Sequence, residues 1–289
     1  MKTIIIQYHR KTPIQASYYK GYTLLELMIA MSLGLVLIGG AIQTLISNQE
    51  TFNITDAIGS TEEGGRFSMH FLTQDIRMAG YSANPQSNKS NPFFIYNADS
   101  TTNAYCTADS NDWCSKEGGG IVSDQIAILK EIDTFIDSDC NGNATVSEAD
   151  KSNMLANVYW IANDITNDSL SSLFCRGYDV SAAAWLGDAL PMVGGVESFQ
   201  VLYGEVNTDG NTRYVSLDRV EKMTSVIAVK IGVLVTESGD GSLSEKSRSY
   251  SVLDARPFTY NDKKNRTLYS TTVFLSNAKL YSINQGLGY

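Results

Sequence analysis

Residues 22–46 read YTLLELMIAMSLGLVLIGGAIQTLI, twenty-five positions in which Glu26 is the only charge. At ~1.5 Å per residue such a helix is about 38 Å long, enough to cross a ~30 Å hydrocarbon layer. Lys2, Arg10, Lys11 and Lys20 all precede the run, whereas Glu50, Asp56, Glu62 and Glu63 follow it before residue 66 with no Lys or Arg among them. An excess of cations on one flank places residues 1–20 in the cytoplasm and the bulk of the chain outside. The run is too long for the core of an ordinary signal peptide, and no A-x-A site follows it.

The rest of the composition describes a folded exported body. Hydrophobic residues make up 43% of the chain and charged residues 18%, which supplies a core and argues against disorder. The 23 glycines and 16 tyrosines, set among many Ser, Thr, Asn and Asp, point to loop-rich β structure. The net charge is −9, and removing residues 1–21 with their four cations leaves 18 Lys and Arg against 31 Asp and Glu, or −13. A body that acidic repels phosphate backbones, so direct nucleic-acid binding through a broad basic surface is not expected. Cys106, Cys114, Cys140 and Cys175 all lie beyond the apolar run. Four cysteines in an exported domain predict two disulfides, with three connectivities open, and none has Cys-x-x-Cys zinc spacing.

Gly21-Tyr22-Thr23-Leu24-Leu25-Glu26-Leu27 resembles the motif cut by prepilin peptidase, shared by type IV pilins and type II secretion pseudopilins. The resemblance implies cleavage after Gly21 and methylation of the new amino terminus at Tyr22, where most members carry Phe. Glycine suits a scissile backbone that a protease must hold closely. An acid inside an apolar run is costly and is a functional candidate by default. The resemblance implies that Glu26 meets the amino terminus of a neighbouring subunit during filament assembly.

Beyond the apolar run, Phe67, Phe71, Leu72 and Ile76 fall on one face of an amphipathic helix. Gly64-Gly65 interrupts that face at ~1 kcal/mol per glycine relative to alanine, which predicts a bend or break. Gly80 is the expected stop. Asp75 and Arg77 read as a solvated helix end, and His70 as a surface or packing residue. Strands are expected at 125–132, 157–162, 198–204, 224–236, 249–253 and 268–275, with turns at 207–213 and at Gly239-Asp240-Gly241.

The phrase from Arg66 to Tyr81 resembles the end of the first helix in the PilW family of minor pilins. Asp139-Cys140-Asn141-Gly142-Asn143, Leu173-Phe174-Cys175-Arg176-Gly177, the stretch 196–204 and the stretch 269–277 resemble further landmarks of that family, in the same order. By this resemblance Cys140 pairs with Cys175, leaving Cys106 to close a small loop with Cys114.

Residues 137–148 also fit the calcium-loop pattern D-x-[DN]-x-[DN]-G-x5-E, with Asp137, Asp139, Asn141, Asn143 and Glu148 as oxygen ligands and Gly142 at the sharp turn. The same residues read more simply as a polar turn, since the family landmark overlaps them and Ala144 stands where an aliphatic residue is usual. No cofactor is required, and Ca2+ at this loop is the one cation the sequence offers. Catalysis is not expected. The histidines are His9, in the leader, and His70, on the helix, and neither a phosphate loop nor a dinucleotide fingerprint occurs.

These readings converge on an α+β pilin-like fold, with a long N-terminal transmembrane and amphipathic helix packed on an antiparallel sheet with disulfide-braced loops. Residues 1–21 form a cleaved cytoplasmic leader, 22–46 the transmembrane half of the helix, 47–81 its amphipathic half, and 82–289 a periplasmic or extracellular head. The family resemblance implies a structural subunit that primes or caps a type IV pilus, serving pilus biogenesis, twitching motility, adhesion and DNA uptake. Its partners would be prepilin peptidase, the inner membrane, and the major and other minor pilins through the helix. A J-type pseudopilin and a calcium-dependent adhesin on a pilin stem are the alternatives.

Overall fold

The computed structural model describes residues 21–82, 113–147, 153–164, 170–207, 210–239, 241 and 243–277. The chain divides into two units, residues 1–51 and 52–289. Helix α1, Leu24–Arg77, runs unbroken for 54 residues. None of residues 24–46, its apolar half, is buried.

In the second unit α1 lies on β structure. Strands β1 (Ile126–Glu131), β2 (Met154–Asp164), β3 (Leu170–Asp179), β4 (Ala184–Trp185) and β5 (Leu190–Gly194) form one antiparallel sheet in the order β1-β2-β3-β4, with β5 also on β3. Strands β6 (Val196–Val206), β7 (Thr212–Val215) and β8 (Val226–Thr236) belong to a second antiparallel sheet. The hairpin β9 (Lys246–Tyr250) and β10 (Phe258–Asp262) stands apart, and β11 (Arg266–Phe274) completes the second sheet in the order β11-β8-β6-β7.

Alternation along the strands decides where each face goes. Ile126, Ile128, Tyr159, Leu173 and Cys175 from the first sheet meet Phe199, Val201, Tyr203, Val229, Ile231 and Val233 from the second, and Leu72 and Ile76 of α1 close the same core. The opposite face of the first sheet buries Ala127, Leu129, Ala156 and Val158 beneath Trp113 and Cys114. Arg266 fixes the hairpin to the second sheet. Its guanidinium donates to Glu197 (2.5 Å) and Asp262 (2.7 Å) and lies 3.7 Å from the centre of the Tyr260 ring.

The expected bend at Gly64-Gly65 is absent. A Cβ at Gly65 would sit 2.2 Å from Tyr269 Cε2, and one at Gly64 would sit 3.1 Å from Val235 Cγ1. With Ala57, Thr61 and Ser68 these glycines form the buried face of the helix. Close approach to the sheet offsets their helix-propensity cost. Gly80 does end the helical turn, with φ +69, and donates to Leu129 O at 2.8 Å. The strand expected at 249–253 lies earlier, at β9, because Leu253 takes a positive φ in a turn (Val252 O to Ala255 N, 3.0 Å).

Candidate assembly site and the braces of the head

At its start α1 is capped by Thr23. The Thr23 hydroxyl accepts the Glu26 N–H at 3.2 Å, and Thr23 O accepts the Leu27 N–H at 3.1 Å. Thr23 and Glu26 therefore stand at the two ends of a Thr-x-x-Glu capping arrangement, a local signal that the reading of Glu26 as an assembly residue passed over. The carboxylate occupies the first turn, where the positive end of the helix dipole favours it. Tyr22 is 85% exposed, and nothing lies within 4 Å of the position a Cβ would take at Gly21. Leu24, Leu25, Leu27, Met28 and the large apolar residues after them as far as Ile46 are exposed along the helix.

At the other end of α1, Asp75 is buried, not solvated. Its carboxylate accepts Lys130 Nζ at 2.5 Å, Asn157 Nδ2 at 2.9 Å and Tyr159 OH at 3.0 Å. Burial, then the Asp75 charge, pushes the Tyr159 phenol well above its ordinary value. The cluster ties the end of α1 to β1 and β2. Its three donors lie 55 to 84 residues downstream, so no local pattern announces it. His70 is exposed and stands edge-on to Phe71, with ring centres 5.7 Å apart.

Cys140 and Cys175 are bonded, joining the 137–147 loop to β3. Cys114 is disulfide-bonded as well, and Cys106, its expected partner, lies outside the described residues. Beside the Cys140–Cys175 bridge, Asp139 accepts the N–H groups of Asn141 (2.9 Å) and Asn143 (2.8 Å) on one oxygen. Its other oxygen accepts the Gly177 N–H (3.0 Å) and Asn143 Nδ2 (3.1 Å). Asn141 Nδ2 donates to Cys175 O at 2.7 Å, and Asp137 is exposed. A calcium ion taking Asp139 would share its carboxylate with four hydrogen bonds. Glu148, the twelfth position of the loop, lies outside the described residues. Among the described residues no group of three or more His, Cys, Asp or Glu is placed to hold a metal.

The PilW family, described as Type IV Pilus-assembly protein W, matches residues 158–277, and the Prokaryotic N-terminal methylation motif matches residues 17–42. The chain is a type IV pilin-like protein with a PilW domain. The PilW match runs from the middle of β2 to the turn after β11, and the methylation motif spans Gly21, Tyr22 and Glu26. Among solved structures the chain is similar to a type IV-like pilin from Thermus thermophilus at 15% identity, covering 75% of this chain and 96% of that one, with a TM-score of 0.43. No curated protein matches it. The motif and the apolar start of α1 fit a membrane-anchored pilin with a general role in the pilus.

One further group in this head carries unusual electrostatics. Asp124 accepts the Gly118 N–H (2.9 Å) and the Val201 N–H (2.7 Å), fastening the loop before β1 to β6. Burial, with Glu117 and Asp254 adding like charge, lifts its carboxyl to about 7. Glu117 is raised as well, chiefly by burial, although it accepts the Leu217 N–H. Sequence reasoning missed this pair because the burial comes from strands far along the chain.

Proposed function

We propose that the chain is a minor pilin, a structural subunit that primes or caps a type IV pilus after prepilin peptidase cuts behind Gly21. The observation that carries this reading is the bare apolar helix. Its first turn holds the only charge of the run, Glu26, and its far end is anchored in a disulfide-braced PilW head. The exposed leucines of that helix suit first the lipid and then the stems of neighbouring subunits. Glu26 would then face the α-ammonium of an adjoining subunit, a pairing that removes the cost of an isolated charge in apolar surroundings. The cut leaves that ammonium on Tyr22.

The test is mass spectrometry of sheared pili. The expected result is a peptide that begins at methylated Tyr22, at an abundance well below the major subunit. Glu26→Gln should leave membrane insertion intact and lower the amount recovered in pili. An unprocessed chain in cells with an active peptidase, or recovery in a type II secretion complex instead of pili, would refute the reading.

A further inference from the structure

The second sheet ends on an unusually open edge. β7 at its other side has only four residues. In the first sheet, residues 80–82 run beside β1 (Gly80 N–H to Leu129 O, 2.8 Å; Glu131 N–H to Tyr81 O, 3.0 Å), and β5 carries Pro191. Natural sheets blunt their edges in these ways. β11 does not. It is nine residues long, RTLYSTTVF, with no proline, no glycine and no charge after Arg266, and it is rich in β-branched and aromatic residues.

Which backbone groups face outward follows from two bonds flanking the β8–β11 ladder. Leu275 N–H donates to Ile227 O, and Glu237 N–H donates to Asn265 O. Backbone groups of successive strand residues point to opposite edges, so the odd-numbered residues of β11 bond to β8. The N–H and C=O groups of Leu268, Ser270, Thr272 and Phe274 therefore face the open edge, and among the described residues no strand lies beyond them. The same four side chains are exposed, Leu268 at 44% and Phe274 at 70%, while Tyr269 and Val273 pack toward α1 and the core.

We propose that β11 is a strand-addition site, completed by an extended segment from the head of a neighbouring subunit. This rests on the pilus reading above. The backbone sets the chemistry of the partner: an unpaired row of donors and acceptors accepts only another extended chain, and apolar side chains at its alternate positions would cover Leu268 and Phe274.

The test uses the full-length chain with the photoreactive residue benzoylphenylalanine at position 268. Sheared pili and membranes are irradiated separately. The expected product is an adduct between residue 268 and a head segment of a second subunit. Ser270→Pro removes one outward N–H and no bond to β8, so it should cut the adduct roughly tenfold while leaving the melting temperature almost unchanged. An adduct to the chain's own residues 278–289, an adduct indifferent to Ser270→Pro, or no adduct in either fraction overturns the proposal. Absence of the chain from pili refutes the pilus reading alone, and the membrane fraction then decides the fate of the edge.

Discussion

Replacing Asp75 by alanine should be among the most damaging single changes available in the head. The carboxylate has three donors, from Lys130, Asn157 and Tyr159, and the side chains of Asp75 and Lys130 are each only 10% exposed. Removing one member of a buried ion pair strands the other charge, at a cost of ~3–5 kcal/mol. The Asn157 and Tyr159 donors lose their acceptor as well, each adding roughly 1 kcal/mol where water gains partial access. A total of roughly 5–7 kcal/mol corresponds to a fall in melting temperature on the order of 10–28 °C for a head of this size. The assay is a thermal melt of the full chain in detergent, followed by near-ultraviolet circular dichroism. Asp75→Ala combined with Lys130→Met removes both charges and should regain roughly half of the loss, because the unpaired ammonium dominates it. A fall of less than about 3 °C for Asp75→Ala would refute the account, since the one-sided ion-pair loss alone predicts more.

Three further outcomes follow from the same geometry. Gly65→Ala drives a methyl into the Tyr269 ring and should cost ~1–3 kcal/mol. Gly59→Ala, with nothing within 4 Å, should be neutral or gain up to ~1 kcal/mol, so equal melts for the two would discount the close approach. Asp124 has a folded value of about 7 against 3.8 unfolded, so its contribution is fully present below the unfolded value and is lost as pH rises through 7. The melting temperature should fall more steeply between pH ~4 and ~7 in the native chain than in Asp124→Asn, and parallel curves would contradict the shift. Replacing Cys140 and Cys175 by alanine frees a 35-residue separation and should cost about 4 kcal/mol by loop entropy, measurable by urea denaturation.

What the sequence made legible was local. The apolar run of α1, the stop at Gly80, and strands β1, β6, β8 and β11 could be read because their periodicity or β-branched content is contained within each segment. The Asn207 turn before β7 was likewise announced, and its tip closes with Gly210 N–H on Asn207 O. Misreadings arose where tertiary packing overrode local preference. Gly64 and Gly65 looked like breakers, yet they are the points at which helix and sheet come closest. Asp75 looked solvated because its partners lie on strands not yet reached. Polar strands such as β9 and β10, KSRSY and FTYND, gave no apolar alternation, because their hairpin is held by the Arg266 cluster instead of a deep core. Of the candidate site, Gly21, Tyr22 and Glu26 were visible from the motif. The open edge of β11 emerged only once strand order and hydrogen-bond parity were known.

The last turn of α1 is finished from the opposite end of the chain. Asn277 donates to Ala79 O across 198 residues, and Tyr269 fills the space left by Gly65. Contacts so distant in sequence close late and slow the folding reaction. A chain emerging amino-terminus first would thus wait, with the sheet-docking face of its helix uncovered, until β11 had emerged. Docking of the helix is timed by the arrival of the tail, and a truncation before residue 266 should leave the body open to limited proteolysis.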